Sequence, residues 1–185
     1  LEVKEGVRGC TLINDSYNSD FNSLDIALDF MSRRPDHNGR RRTLILSDIY
    51  QSGEAQGLLY SKVSQLALNR GVQKFIGVGK ALKDNSSEIH IPECYFFDDV
   101  ASFTASEVFR DLHDELILVK GSRTFGFDYI AELLEQKVHE TILEVNLNAL
   151  VDNYNYYRSL MKPETKLVCM VKADAYGAGA VEVSK

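Results

Sequence analysis

The stretch Glu115-Leu116-Ile117-Leu118-Val119, continued by Lys120-Gly121-Ser122-Arg123, decides the fold because it joins a buried strand to a polar loop. Its four consecutive aliphatic residues, 116–119, are typical of a strand covered on both faces. A helix is predicted after the loop from the apolar positions Ile130, Leu133, Leu134 and Val138. A buried strand, a short loop and an amphipathic helix are the repeating parts of an α/β fold.

Upstream of this stretch, strand-like and helix-like segments alternate. Strands are predicted at residues 10–14, 43–47, 74–78 and 94–97, and helices from the apolar positions of residues 24–31, 59–67 and 103–112, with Ser23 as the cap of the first helix. Alternation of this kind predicts right-handed crossovers between neighbouring strands. We therefore expect a Rossmann-like, mainly parallel sheet with helices on both faces.

Composition and charge exclude several classes of protein. The 185 residues carry a net charge of -6, and 44% of them are hydrophobic, which excludes intrinsic disorder. No apolar run approaches the roughly 18 residues of a membrane span. The acidic balance opposes nucleic-acid binding, and the arginines at positions 33–34 and 40–42 flank a turn that we interpret as a solvated loop.

The cysteines and histidines indicate whether disulfides or a metal site are to be expected. The three cysteines are widely spaced and odd in number, which favours small buried hydrophobic residues over a disulfide framework. The four histidines show no ligand spacing, so no metal site is predicted. A reducing compartment fits best, and with no recognisable secretory signal at residues 1–5 the expected location is the cytoplasm.

The pattern changes near residue 139 and begins again. Residues 141–145 and 167–171 are predicted strands, and Leu147, Leu150, Val151 and Tyr154 mark one face of a helix between them. A βαβ beginning of about 45 residues is too short to bury its own faces, because most domains need about 100 residues or more. We therefore expect one domain at residues 1–138 and the first part of another at 139–185.

Chemistry-bearing side chains follow three of the predicted strands. Asp15, Tyr17 and Asn18 follow the first strand, Asp48 follows the second, and Lys120, Ser122 and Arg123 follow the last. Ligands of parallel sheets bind beyond the carboxyl ends of the strands, where two cations and a hydroxyl group can hold an anion. Taken singly, each segment is also explained by local structure, the first as a helix-capping turn and the last as a solvated loop.

Two alternatives to an enzyme remain open at this point. Asp15, Asp48 and Lys120 at successive strand ends are similar to the acidic pocket and lysine of a phospho-accepting receiver domain, in which two carboxylates hold Mg²⁺. The chain could equally be a ligand-binding module without chemistry. The segment Gly77-Val78-Gly79-Lys80 lacks the third glycine of a dinucleotide fingerprint and is interpreted as a turn.

The motifs at residues 12–18, 46–49 and 119–123, in this order and spacing, resemble the C-terminal domain of the Mur ligase family. The likeness extends over residues 1–138 and is greatest for the branch that adds D-alanyl-D-alanine to UDP-N-acetylmuramoyl-tripeptide. That family usually continues Tyr-Asn with Ala-Asn-Pro, whereas Ser19-Asp20-Phe21 stands here. The resemblance implies that Asp15, Tyr17, Asn18 and Asp48 face a nucleotide, and that Lys120, Ser122 and Arg123 hold the dipeptide carboxylate or developing phosphate charge.

The final segment, with Glu144-Val145-Asn146-Leu147 and Val171-Lys172-Ala173-Asp174-Ala175-Tyr176-Gly177, resembles the beginning of the alanine racemase family. In that family the lysine of this motif forms the Schiff base with pyridoxal phosphate, and the tyrosine helps to position the cofactor. The resemblance assigns these roles to Lys172 and Tyr176. Ala178 stands where that family commonly has histidine.

Together the two resemblances imply part of a bifunctional ligase and racemase that serves peptidoglycan precursor synthesis. The ligase would use ATP and Mg²⁺, act on small-molecule substrates and depend on central and N-terminal domains that this sequence does not contain. The sequence has no phosphate-loop motif of its own. We therefore expect a lid domain that is inactive alone, with no nucleic-acid or membrane partner and no cofactor bound to the fragment.

Overall fold

A computed structural model describes residues 1–34, 39–49, 53, 55–136 and 144–184. The chain forms two compact units, Leu1–Gln136 and Lys137–Lys185. The described residues of the first unit contain one six-stranded sheet. Its strands are β1 (Glu2–Glu5), β2 (Thr11–Asp15), β3 (Arg41–Ser47), β4 (Lys74–Val78), β5 (Glu93–Phe97) and β6 (Glu115–Lys120).

The sheet has the order β1-β2-β6-β3-β4-β5. Strands β2 to β6 are parallel to one another, and β1 pairs antiparallel with β2 at the edge. The predicted α/β class with a mainly parallel sheet is therefore confirmed. The strand β1 is an addition that the sequence analysis missed.

Helices cover both faces of the sheet. The longer ones are α1 (Phe21–Ser32), α2 (Gln56–Asn69) and α6 (Phe127–Leu134), and the shorter ones are α3 (Lys80–Asp84), α4 (Val100–Thr104) and α5 (Glu107–Arg110). Helices α1, α2 and α3 pack on one face with Ile13, Leu44 and Phe75 of the sheet. Helices α4, α5 and α6 pack on the other face with Leu12, Ile45 and Ile117. The alternation of adjacent strand residues between the two cores follows from the two-residue repeat of a β-strand.

Two local predictions need correction, and a third falls outside the described residues. The single helix predicted over residues 103–112 is two short helices, because Ser106 caps α5 by accepting a hydrogen bond from the amide of Phe109. The cap of α1 is Asp20, and Ser23 is the third helical residue, whose hydroxyl bonds back to Asp20. Val138, predicted on α6, lies outside the described residues.

Cysteine burial agrees in part with the expectation. Cys10 is buried and Cys94 is half-buried, whereas Cys169 is exposed. Burial raises the pKa of the Cys10 and Cys94 thiols, which keeps them protonated near neutral pH. These two residues therefore act as small apolar side chains rather than nucleophiles.

Charged residues meet at the amino ends of the central strands. Lys74, only 4% exposed, lies 3.3 Å from Glu115 Oε1 and 3.6 Å from Glu93 Oε1. Thr43 donates its hydroxyl proton to the other oxygen of Glu115, and Arg41 lies 2.5 Å from Glu93. The carboxylate of Glu115 is compensated on both oxygens, as a buried charge requires.

The strand order separates this sheet from a receiver domain. In the flavodoxin-like order 2-1-3-4-5 the fifth parallel strand lies at an edge of the sheet. Here the fifth parallel strand, β6, lies between the first and the second, β2 and β3. The receiver interpretation is therefore wrong at the level of topology.

The described part of the second unit, residues 144–184, contains helix α7 (Leu147–Ser159) and a short helix at Ala180–Val183. The strand predicted at 167–171 does not form, and Val168 is 91% exposed. A strand needs a hydrogen-bonded neighbour, and none occurs within residues 144–184. Residues 141–143 of the other predicted strand lie outside the described residues, and Glu144 and Val145 are not in a strand.

The predicted helix face of α7 is also not buried. Leu147, Leu150, Val151 and Tyr154 are between 36% and 51% exposed.

Within the described ranges, no helix is long and apolar enough to cross a membrane.

Candidate functional site

The carboxyl ends of the adjacent strands β2 and β6 form the topological switch point of the sheet, where the connections leave on opposite faces. From β2 the chain enters α1 on one face, whereas from the adjacent β6 it enters α6 on the opposite face. Two connections that leave on opposite faces open a crevice between them, and ligands of parallel sheets bind at such switch points. The loop after β2 and the loop after β6 carry most of the predicted site residues.

The loop from Asn14 to Asp20 is held by its own side chains. Asn14 Oδ1 accepts a hydrogen bond from the amide of Ser16 at 3.2 Å, and Asn18 Oδ1 accepts one from the amide of Ser19 at 2.9 Å. Asn18 also donates to the Asp20 carboxylate at 3.1 Å. Hydrogen bonds from the hydroxyl and amide of Ser23 lower the pKa of Asp20, so this cap is ionised at neutral pH.

An aromatic ring and a guanidinium group form the exposed side of the crevice. The ring of Tyr17 is 72% exposed, and Arg123 Cζ lies 4.9 Å from its centroid. This is within the range of a cation–π contact, which costs little desolvation at an exposed site. A cavity of about 300 Å³ opens beside the pair, lined by Leu1, Glu2, Asn14, Asp15, Ser16, Tyr17, Arg123 and Asp128.

Asp15 and Lys120 lie opposite each other in the register of β2 and β6. Lys120 Nζ is 2.9 Å from Asp15 Oδ2, and the ammonium also donates to the main-chain oxygen of Asn18. Lys120 is 1% exposed and does not line the cavity, whereas Asp15 does. The ammonium of Lys120 is thus engaged in an internal ion pair and does not belong to the cavity lining.

Asp48 is also held by contacts within the protein. Its two carboxylate oxygens accept hydrogen bonds from the amides of Ala81 at 3.0 Å and Leu82 at 2.8 Å, at the start of α3. Asp48 is 2% exposed, and Gly79 leaves room for it, since an added Cβ there would lie 2.4 Å from the carboxylate. Asp48 thus connects β3 to the start of α3, and its contact with a nucleotide stays a prediction.

Ser122 exchanges a hydrogen bond of 2.6 Å with Thr124 and precedes a 3₁₀ turn at Arg123–Phe125. Its hydroxyl thus organises the loop after β6. Among the residues that the structure describes, no group of three His, Cys, Asp or Glu side chains could hold a metal ion. The lining of the cavity contains the ring of Tyr17, the guanidinium of Arg123 and the carboxylates of Glu2, Asp15 and Asp128.

Lys172 and Tyr176 lie in an exposed, left-handed turn. Ala173, Asp174, Ala175 and Tyr176 have φ angles between +52° and +58°, a conformation that costs residues other than glycine about 1–2 kcal/mol each. Lys172 Nζ lies 5.8 Å from the ring centroid of Tyr176, and both side chains are in contact with solvent. A Schiff-base lysine is activated in a desolvated pocket, so the residues of this segment alone do not fit pyridoxal phosphate.

Some features of the crevice escaped sequence reasoning. The contact between Tyr17 and Arg123 joins residues 106 positions apart, and Asp128 reaches the cavity from the first turn of α6. No local pattern predicts either contact. The capping role of Asp20 was recognisable, because Asp followed three residues later by Ser is a helix-start pattern.

Comparison with known proteins finds likeness to two kinds of enzyme. The chain is 25% identical over 126 residues to UDP-N-acetylmuramoyl-tripeptide–D-alanyl-D-alanine ligase of Escherichia coli strain K12, covering 68% of this chain and 27% of that protein. Residues 145–185 match the family model of the alanine racemase N-terminal domain. The chain is therefore similar to a ligase over most of its length and to racemases over its final segment. A 53-residue segment is 38% identical to alanine racemase of Streptococcus suis and covers 29% of this chain and 14% of that enzyme.

The fold is shared with solved MurF structures. The crystal structure of MurF ligase from Thermotoga maritima in complex with ADP superposes with a TM-score of 0.55 at 14% identity, over 71% of this chain and 29% of that one. At this identity the likeness shows the fold alone. The chain is thus similar to MurF over most of its first unit and to the racemase N-terminal domain over residues 145–185. It spans about a quarter of the length of the ligase relative and a seventh of that of the racemase.

Proposed function

We propose that residues 1–138 are the C-terminal lid domain of an ATP-dependent ligase that adds D-alanyl-D-alanine to UDP-N-acetylmuramoyl-tripeptide. Residues 139–185 would then begin an alanine racemase in the same polypeptide. The homology to MurF and to the racemase N-terminal domain supports this pairing. Both parent activities handle D-alanine, one by making it and the other by using its dipeptide, which gives the fusion a chemical rationale.

The observation that carries the ligase proposal is the cavity at the switch point between β2 and β6. The exposed ring of Tyr17 offers a stacking surface for a base, and the carboxylate of Asp15 can accept hydrogen bonds from ribose hydroxyl groups. The guanidinium of Arg123 can hold a phosphate or carboxylate in a bidentate manner. These three groups come from two loops that rigid strands position.

The chemistry of the parent ligase would be divided between domains. When bound, ATP supplies the phosphoryl group that activates the terminal carboxylate of the tripeptide. The residues of this chain would bind and orient one end of the nucleotide, and closure of the lid would exclude water from the reacting groups. The magnesium ligands and phosphate loop would come from other domains, so the isolated chain should not turn over.

The racemase assignment of Lys172 and Tyr176 rests on resemblance. A (β/α)₈ barrel of about 250 residues takes its phosphate site from loops late in the barrel. The exposed position of Lys172 in this chain provides no desolvated pocket. We therefore expect neither pyridoxal phosphate binding nor racemisation from residues 1–185.

The test is to purify the native polypeptide from its source with an antibody raised against this chain. We expect a species several-fold larger than 20.8 kDa, on the order of 90 kDa if two more ligase domains and a complete barrel are present. It should release ADP only when UDP-N-acetylmuramoyl-tripeptide and D-alanyl-D-alanine are both added, and it should racemise alanine. The 185-residue chain is the matched control and should do neither. A native species near 20.8 kDa would contradict the proposal and favour a ligand-binding module.

A further inference from the structure

Lys120 is the buried cation of the crevice, and its environment differs from that of Arg123. Lys120 is 1% exposed, whereas Arg123 is exposed and lines the cavity. An ammonium group that is closed off from the cavity cannot contact a ligand held there. Its effect on the site must pass through the groups that it touches.

Those groups belong to the opposite wall of the crevice. The ion pair with Asp15 joins the last residues of β2 and β6, beside a hydrogen bond of 3.4 Å from the amide of Gly121 to the main-chain oxygen of Asp15. The second contact, to the main-chain oxygen of Asn18, fixes the loop one residue beyond Tyr17. Lys120 therefore holds both ends of the segment that presents Tyr17.

The local hydrogen bonds of the loop do not replace this contact. Those of Asn14 and Asn18 to the amides of Ser16 and Ser19 span only one or two residues. They shape short turns but do not anchor the loop to β6. Without the Lys120 ammonium, the main-chain oxygen of Asn18 loses its partner, and a nearly exposed loop satisfies such a group by moving toward water.

We propose that Lys120 is a positioning residue of the ligand cavity, which orients the Asp15 carboxylate and the Tyr17 ring without touching the ligand. The identity of that ligand rests on the proposed function, but the positioning itself does not. The proposal replaces the direct substrate contact expected of Lys120. It assigns the direct contacts to Asp15, Tyr17 and Arg123.

The chain offers a clean reporter for this role because it contains no tryptophan. In a Tyr17→Trp background, the indole emission comes from the loop alone, and stacking with Arg123 shields the ring from a collisional quencher such as acrylamide. Arg123→Met in the same background gives the quenching constant of an unstacked ring. Lys83→Met serves as the matched control, since Lys83 pairs with Asp98 on the exposed surface.

We expect Lys120→Met to raise the acrylamide quenching constant of the reporter to the value of the Arg123→Met variant, because the loop is released. Lys83→Met should leave the constant unchanged. Circular dichroism establishes that each variant is folded. If Lys120→Met does not fold, Asp15→Ala removes the same anchor from its more exposed side and should raise the constant in the same direction.

The outcomes separate this proposal from the nucleotide proposal. Folded Lys120 and Asp15 variants that quench like the parent reporter would overturn the positioning role. An ADP affinity that Lys120→Met abolishes without any change in quenching would also overturn it, since that pattern indicates direct contact. A raised quenching constant in a chain that binds no ADP would support the positioning role and refute only the nucleotide.

Discussion

Replacing Lys74 by methionine is expected to lower the free energy of unfolding of the first unit by about 3–5 kcal/mol, because the buried Glu115 carboxylate loses its buried cation. Of the described cations, only the half-exposed guanidinium of Arg41, 4.0 Å from Glu115 Oε1, then remains beside it. The side chains of Lys74 and Glu115 are each only 5% exposed, and their charged atoms lie 3.3 Å apart. Thr43 still donates to Glu115 in the variant, but a hydroxyl group does not neutralise the charge. Urea unfolding followed by circular dichroism measures the loss.

Two further variants show whether the unpaired charge is the cause. Adding Glu115→Gln to Lys74→Met should recover much of the lost stability, since the amide has no charge to bury. Lys83→Met removes a surface pair whose side chains are 47% and 63% exposed and should cost about 1 kcal/mol or less. Equal losses of unfolding free energy for Lys74→Met and Lys83→Met would contradict the importance of the buried ion pair between Lys74 and Glu115.

Gly121→Ala is expected to destabilise the first unit by about 1–3 kcal/mol through overpacking. A Cβ at this position would lie 2.2 Å from Cγ and Cδ1 of Phe127, whose ring is fully buried. The ring cannot move away without disturbing the core under α6. The glycine between Lys120 and Ser122 is thus explained by the close approach of an aromatic ring to the strand end.

Gly57→Ala is the matched control for Gly121→Ala. Among the residues that the structure describes, an added Cβ at Gly57 would meet only Asn85 Oδ1, at 3.8 Å, and the residue lies in the first turn of α2. Alanine should therefore stabilise the helix by roughly 0.5–1 kcal/mol. Thermal unfolding of the two variants should shift in opposite directions, and a shared direction would refute the packing argument for Gly121.

The sequence predicted the parallel strands and their helices because burial on both faces leaves a strong apolar pattern. The strands at Lys74–Val78 and Glu115–Lys120 are within one residue of their predicted bounds. The strand at Glu2–Glu5 was missed because three of its four residues are charged and it lies at the edge of the sheet. An edge strand that faces water carries little apolar signal.

Prediction of the site was limited by tertiary contacts. The motifs placed Asp15, Tyr17 and Arg123 at strand ends, and the structure brings them to one cavity. Whether Lys120 and Asp48 point toward a ligand or toward the protein depends on neighbours remote in sequence, such as Ala81 for Asp48. A lysine or aspartate at a strand end has the same sequence pattern whether its side chain contacts a ligand or the protein.

In the racemase-like segment, the sequence predicted a strand that the structure does not contain. Residues 167–171 have a strong strand pattern, yet they form no strand within the described part of the second unit. An apolar strand is stable only when neighbours satisfy its amides and cover its side chains. An apolar pattern alone therefore does not determine the structure of this segment.

The measurement that tests the central claim most directly is a titration of the isotope-labelled chain with ADP, followed by NMR chemical shifts. The account predicts saturable shifts at roughly millimolar ADP, concentrated at Ser16, Tyr17 and Arg123, weakened by Arg123→Met and unaffected by Arg110→Met on the exposed surface of α5. An absence of saturable shifts would contradict a nucleotide site at the switch point between β2 and β6. Saturable shifts around Lys74, at the amino ends of the strands, would contradict it as well.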